Sequence, residues 1–358
     1  MGSGRREDRA VAPVAQWIEQ SPSKRLAAGS NPAGGATHRQ TTAPIAFRIA
    51  AEGLACNLMR VAVTGSHGLI GTALVAALES DHHEVVRLTR GTGEAGSRTW
   101  DLAARRIDRV AFEGVNAVVH LAGAGIADHR WTAAHKRDVL DSRVVATTLL
   151  AETIATLDQP PTVFASGSAI GFYGDRGDEI LDETTGAGSG FLADVVAQWE
   201  ASTAAAERGS VRVVHLRTGI VLSTKGGALK KQLLPFKLGA GGRFGTGRQF
   251  QSWISLADEV RAIRFVIDNA AMRGPVNLTS PNPVTNADFT KALGAAVHRP
   301  TVLPTPLFAV KALFSAEMVQ EMLLASARVV PRQLISHGFD FLQPDLSTAL
   351  RSILDTHA

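Results

Sequence analysis

The chain has 358 residues but only one cysteine and one tyrosine. A single thiol, Cys56, excludes an internal disulfide framework and a thiolate-rich metal site. No histidine–carboxylate spacing suggests zinc, so no metal is expected. No uninterrupted apolar run is long enough to span a bilayer, so no membrane partner is expected. A G-x-x-x-x-G-K-[ST] phosphate loop is absent, and Gly167-Ser168-Ala169-Ile170-Gly171 is not the G-x-S-x-G elbow of a hydrolase. Excess charge is scarce as well. The formal net charge is +4. Residues 1–58 hold seven Lys and Arg against four acids, and the rest holds 30 against 29. A body this close to neutral gives no reason to expect a nucleic-acid partner. The 45% hydrophobic and 20% charged composition is that of an ordinary globular protein. Poverty in cysteine suits the reducing cytoplasm.

Residues 1–58 show no sustained period of 2 or 3.6 and are rich in Gly, Pro, Ser, Thr and Ala, so disorder is expected there. Gly29-Ser30-Asn31-Pro32 matches one reading frame of the T-arm consensus of a tRNA gene. That match points to an over-extended reading frame, with the native start at Met59 and with Cys56 outside the native chain. A targeting peptide is the alternative, against which Glu7, Asp8 and Glu19 weigh.

From Met59 the pattern changes. Arg60 to Thr64 is a β-branched run, read as a buried strand. Gly65, Gly68 and Gly71 follow in a G-x-x-G-x-x-G spacing, then a helical apolar stretch from Leu69 to Leu78, then the strand "EVVRL". Strand, glycine turn, helix, strand is the context in which such a triplet binds a dinucleotide. Gly65 permits the turn, Gly68 lets the backbone approach a pyrophosphate, and Gly71 lets the helix pack close. The helix N-terminus offers free N–H groups to the phosphates. His67, Leu69 and Ile70 complete the loop. The second strand ends in Thr89-Arg90, not in an acid that would hold a ribose 2′-hydroxyl. A guanidinium there suits a 2′-phosphate, so the expected cofactor is NADP(H).

"NAVVHLAGAGI" at 116–126 reads as a strand whose turn, Leu121-Ala122-Gly123, lies against the cofactor. Residues 133–157 have helical spacing. "PTVFASGSA" is a strand, "FLADVVAQWEASTAAAERG" a helix and "VRVVHLRTGIVL" a strand. The alternation predicts an α/β fold, a Rossmann-type doubly wound parallel sheet with a smaller C-terminal substrate lobe. Ligands are expected where Gly65–Gly71, Leu121–Gly123 and Ser166–Ser168 converge.

Several motifs occur in one order: "TGSHGLIG", "HLAG", "SGSAIGFYG", "LRTGIVL", "PFKLGAGGRFGTGRQFQSWISLADEV" and "GPVNLTSPNPVTN". Together they resemble the epimerase-family atypical short-chain dehydrogenases/reductases, and "ASARVVPRQLISHGFDFLQPDLSTAL" resembles their small C-terminal module. The resemblance covers residues 59–354. It implies an NADP(H)-binding core over 59–222, substrate-lobe elements interleaved with the last core strands over 223–300, and a helical module over 301–358. It also implies an oxidoreductase or epimerase acting on a small polar substrate in the cytoplasm, with a homodimer left open. A non-catalytic NADP(H)-binding module is the alternative.

In the parent superfamily a serine orients the substrate oxygen, while a tyrosine, its pKa lowered by a nearby lysine, moves the proton. Ser168 is the counterpart of that serine, with Ser166 second. Aligning Glu200 with the helix acid of those enzymes puts Leu192 and Val196 where tyrosine and lysine belong. Neither transfers a proton. Tyr173, in the "GFYG" turn, either faces the nicotinamide or is structural. Asp175, Asp194 and Glu200 are the nearest acids, and His120 reads as a core histidine. Arg143 corresponds to a family position near the cofactor, or is a helix-surface arginine. Ser255 stands where the family more often has histidine. The glycine-rich basic stretch after Leu222 reads as a lobe that pairs with an anionic group or as a solvated loop, and Met318 and Met322 read as core packing.

Overall fold

A computed structural model describes residues 58–90 and 97–355. Of the N-terminal segment read above as a spurious extension, residues 1–57, Cys56 among them, lie outside these. The described residues belong to one compact unit.

The strands of the main sheet are β1 (Arg60–Thr64), β2 (Glu84–Arg90), β3 (Arg98–Asp101), β4 (Arg106–Ile107), β5 (Ala117–His120), β6 (Val163–Ala169), β7 (Arg212–Thr218) and β8 (Gly274–Leu278). Their spatial order is β8-β7-β6-β5-β1-β2-β3-β4. Every neighbouring pair is parallel except β3 and β4. Helices α1 (Leu69–Ser80), α2 (Ala133–Ala155), α3 (Phe191–Ala201) and α4 (Leu256–Asp268) carry the chain back between strands.

Helices on both faces explain why the middle of β1, Val61-Ala62-Val63, is a continuous apolar run and not alternating. Val61 and Val63 pack with Leu74 and Leu78 of α1 and Ile263 and Val266 of α4. Ala62, on the other side of the pleat, packs with Leu150 and Ile154 of α2. Strand order reverses between β1 and β5, and a crevice opens there at the strand C-termini.

Two elements differ from the sequence reading. The helix expected to run to residue 209 stops at Ser202 and resumes as Ala204–Glu207. Ser202 Oγ donates to the Gln198 carbonyl at 2.7 Å and Thr203 Oγ1 to the Glu200 carbonyl at 2.7 Å, and the Thr203 N–H turns to that same Glu200 carbonyl, three residues back, at 3.2 Å, which tightens and ends the helix. The strand expected over 211–222 breaks at Gly219. A Cβ there would lie 2.8 Å from the Ser252 carbonyl oxygen and 2.9 Å from Thr279 Cγ2. Past that glycine, Ile220–Leu222 leaves the sheet and pairs in parallel with Trp253–Ser255.

The C-terminal segment is joined to the core at several points. Arg328–Val329 pairs with Ile180–Leu181. Leu346, Ala349 and Leu350 pack on Phe289 and Leu293. Met318 is buried, but Met322 is 37% exposed, which corrects the reading of both methionines as core: the segment Gln320–Leu324 is wound as a π-helix that turns Met322 outward. Asp258, buried in α4, accepts the N–H of Leu342 and of Gln343, each at 2.9 Å. Asp258→Ala leaves both donors unpaired and is expected to cost about 1–3 kcal/mol in urea unfolding, with faster proteolysis around 338–345. An unchanged midpoint would show that the tail docks by apolar contacts alone.

Candidate functional site

The glycine loop is built by close backbone contacts. Gly65 sits at φ +68°, and a Cβ on it would be 2.7 Å from the Leu121 carbonyl and 2.8 Å from Ala122 N. A Cβ on Gly71 would be 2.1 Å from the Gly65 carbonyl oxygen. No side chain fits at either position. The N–H of Gly68 bonds the Gly65 carbonyl at 2.9 Å, and Gly68 caps α1 without a side-chain acceptor. The first N–H groups of α1 therefore face the crevice as donors for an anion.

The crevice is about 600 Å3 and is lined by Gly65, Ser66, His67, Gly68, Leu88–Arg90, Trp100 and Leu121–Gly123. A second cavity of about 610 Å3 continues past Arg90 and Trp100 to Arg106. The structure thus brings together the predicted Gly65, His67, Gly68, Thr89, Arg90, Leu121, Ala122 and Gly123. Leu69, Ile70 and Gly71 form the first turn of α1 behind the loop. Trp100 and Arg106, on the strands beyond β2, escaped the sequence reading because they belong to no glycine motif.

Arg143 lies beneath the turn after β5. A Cβ on Gly123 would be 3.3 Å from its guanidinium carbon. It donates to the carbonyls of Ala124 at 3.0 Å and Val139 at 2.9 Å, and it lies 5.1 Å from the Trp199 ring centroid. Burial lowers its pKa to about 10, which leaves it charged. It is neither a surface arginine nor an open cofactor ligand, but the support of the turn. His120 is fully buried, with Nδ1 2.6 Å from Thr64 Oγ1. Burial, and then the Arg143 charge, lowers its pKa to about 3, so it is neutral.

Ser166 and Ser168 both lie at the end of β6. Ser166 is buried, and its hydroxyl makes only a long 3.4 Å contact with the Gly167 carbonyl. Ser168 Oγ donates to Glu200 Oε1 at 2.6 Å. Arg217, from β7, grips the same carboxylate with Nε and a terminal nitrogen, both at 2.8 Å. Its other terminal nitrogen donates to the Tyr173 hydroxyl at 3.0 Å. That hydroxyl is also 2.8 Å from Asn277 Oδ1 and 3.0 Å from the Asp182 carbonyl. Tyr173 is 0% exposed and its pKa is raised, chiefly by burial. It therefore sits inside the protein as a bound phenol and does not face the crevice. Burial alone pushes Glu200 up, but the Arg217 bonds and charge outweigh it and hold the carboxyl below its usual range.

A separate cavity of about 360 Å3 lies at the C-terminal ends of β6 and β7. Ile170, Gly171, Leu192 and Ile220 give it an apolar wall, and Gln320–Leu323 close it from the C-terminal segment. Leu192 and Val196 pack over Gly171, whose Cβ would lie 3.4 and 3.9 Å from them. Glu321 reaches the start of α3, accepting from Phe191 N at 2.9 Å and Leu192 N at 2.8 Å. Gly190, at φ +109°, makes room: a Cβ there would be 3.1 Å from that carboxylate. Asp175 also lines the cavity and accepts from Ser326 N at 3.1 Å. Asp194 is exposed on the first turn of α3. Glu321 is 130 residues from its partner, so no local pattern announces it.

A family model described as the NAD dependent epimerase/dehydratase family matches residues 61–278, and one described as a domain of unknown function, DUF1731, matches 305–353. An epimerase family protein of Mycobacterium tuberculosis is 44% identical over 291 residues, 81% of this chain and 96% of its own length. Human epimerase family protein SDR39U1, solved with NADPH, superposes with a TM-score of 0.76 at 35% identity, covering 83% of this chain and 99% of that one. The UDP-glucose 4-epimerase of Thermotoga maritima has a TM-score of 0.64 at 16% identity, a likeness of fold.

Two predictions follow from these buried groups. Arg217→Met strands the Glu200 carboxylate and is expected to cost about 3–5 kcal/mol, measured by urea unfolding; a cost under about 1 kcal/mol would mean that Glu200 is hydrated there. Glu259 is fully buried, bonds Thr218 Oγ1 at 2.8 Å, and burial raises its pKa to about 8. The unfolded chain releases this proton near the ordinary glutamate value of 4.5 and the folded protein near 8, so stability falls as pH rises between the two. Glu259→Gln is expected to abolish that fall and to exceed the parent in stability above pH 8, as read from melting temperature against pH.

Proposed function

The chain belongs to the NAD dependent epimerase/dehydratase family, and from that membership we propose that it is an NADP(H)-dependent oxidoreductase or epimerase-like enzyme acting on a small polar substrate. The observation that carries the reading is the pair of adjoining sites. A glycine-built crevice ends in Arg90, and a substrate-sized cavity opens at the neighbouring strand ends. That human SDR39U1 is solved with NADPH supports the same cofactor here.

When bound, NADP(H) supplies or accepts a hydride. This chain's residues do the rest. The α1 N–H groups take the pyrophosphate. The Arg90 fork pairs with the 2′-phosphate, and Arg106 adds charge on the same side. Arg143 fixes the turn that meets the ribose. Ser168 is buried, lines neither cavity and gives its proton to Glu200, so a ligand that reaches it meets only lone pairs. It suits a substrate hydroxyl better than a carbonyl. No tyrosine or lysine lines the cavity among the described residues, which leaves the carboxylates of Asp175 and Glu321 as its ionisable side chains. The reading places the protein in the cytoplasm and needs no nucleic-acid partner.

A second reading is a non-catalytic NADP(H)-binding module. It is favoured by Leu192 and Val196, packed where the proton-transferring pair would stand. Metabolite screening that follows NADPH absorbance separates the two. Turnover that falls in Ser168→Ala supports the enzyme, and tight NADPH binding with no turnover across a broad panel supports the module. Arg90→Asp is expected to weaken NADPH about tenfold or more, one charge-assisted hydrogen-bond partner, while sparing NADH. Equal effects on both nucleotides by calorimetry would remove Arg90 from the 2′-phosphate site.

A further inference from the structure

Among the described residues the exposed large apolar side chains are not scattered. Six of those twelve, Leu234, Leu238, Val302, Leu303, Phe308 and Leu313, come from two short stretches. Those stretches touch. Arg299 Nε donates to the Lys237 carbonyl at 3.0 Å, Thr305 Oγ1 to the Gly242 carbonyl at 2.9 Å, and Thr305 N to the Arg243 carbonyl at 2.9 Å. The helix Leu307–Leu313 follows directly. No described residue from 302 to 313 is buried, although this stretch is mostly apolar. A helix of seven residues does not hold itself together in water. Its apolar side chains make no core, so the face calls for a cover.

Charge identifies the cover. Neither 208–257 nor 289–316 contains an aspartate or glutamate. Exposed on the same stretches are Lys230, Lys231, Lys237, Arg243, Arg299 and Lys311. Acids flank it: Asp288 is exposed just before residue 289, Asp128 follows Ala127, whose carbonyl accepts from Lys231 Nζ at 3.1 Å, and Glu317 is already paired with Lys136 at 2.6 Å. A chain that is nearly neutral beyond residue 58 thus carries one acid-free, basic and apolar face. Leucine and phenylalanine set among lysines is the make-up of a surface that rests at the boundary between lipid headgroups and acyl chains. A second copy fits poorly, since a two-fold contact would set this basic face against itself.

We propose that this face docks the protein on an anionic lipid surface. The docking is peripheral, since among the described residues no helix is long and apolar enough to cross a membrane. It departs from the sequence-based expectation of no membrane partner, which rested on the absence of a spanning run. It does not depend on the cofactor or on turnover.

The test is co-sedimentation of the full chain with phosphatidylcholine vesicles, with and without phosphatidylglycerol. Partitioning is expected to rise at least tenfold with the anionic lipid and to fall as salt is added. The triple variants K230E/K231E/K237E and L238S/L303S/F308S are each expected to lose at least tenfold, with NADPH affinity reporting that they fold. If the apolar variant fails to fold, the charge variant decides alone. Failure of the parent to bind phosphatidylglycerol vesicles overturns the proposal, as does binding that the charge variant retains. So does light scattering that shows a dimer broken by the apolar variant.

Discussion

Everything at the ligand end of this molecule depends on three backbone segments meeting with no side chains between them. The Gly65 carbonyl lies where a Cβ on Gly71 would fall, and Gly65 itself lies against Leu121 and Ala122. These contacts join the end of β1, the start of α1 and the turn after β5. They fix the direction of the α1 axis and hence the place where its free N–H groups emerge. A methyl group at either glycine would force α1 away from the sheet and close the crevice or misplace its donors. Sheet and site are therefore one construction: the same compression packs Leu74 and Leu78 on Val61 and Val63.

A second constraint works one strand further along. Arg217 is charged and 4% exposed in the middle of a sheet, which is tolerable only with a full set of partners. It has them in Glu200 and Tyr173, and through these the ends of β6, β7 and β8 are tied to α3 by side chains. The family's parent enzymes use a tyrosine and a lysine on this helix to move a proton. Here the helix presents leucine and valine, and the chain's one tyrosine serves the buried network. The ionisable groups near the strand ends thus divide in two. Glu200, Arg217 and Tyr173 are spent on structure, and Asp175 and Glu321 line a cavity.

How much of this was legible follows from the range of each interaction. The glycine triplet, the strands around it and Arg90 are local, and β1, α1, β2, β5, α2 and β6 lie within a residue or two of their expected places. The break at Gly219 was hidden because the β-branched residues on either side of it read as one continuous strand; only the approach of Ser252 and Thr279 shows why the chain must turn there. The stop at Ser202 was weakly signalled by two adjacent hydroxyl residues in an alanine-rich helix. Arg217 carried a sign that went unread, a charged residue inside a buried strand. Trp100, Arg106 and Glu321 carried none, since each acts on residues far away in sequence or outside any motif.

The C-terminal segment shows what such long-range contacts do. Four of its attachments use a carboxylate that accepts backbone N–H groups: Asp258 holds Leu342 and Gln343, Asp175 holds Ser326, Glu183 holds Gln333, and Glu321 holds Phe191 and Leu192. Three of these carboxylates belong to the core and one to the segment, so the contact is reciprocal. Glu321 and Asp175 also line the cavity at the ends of β6 and β7. The segment is accordingly not an appendage to a finished nucleotide-binding core. It supplies the cap that α3 lacks at Gly190, and by the same bond it forms one wall of the cavity. A ligand that competes for the α3 N–H groups must displace Glu321 first, so ligand binding and the seating of the C-terminal segment draw on the same pair of donors.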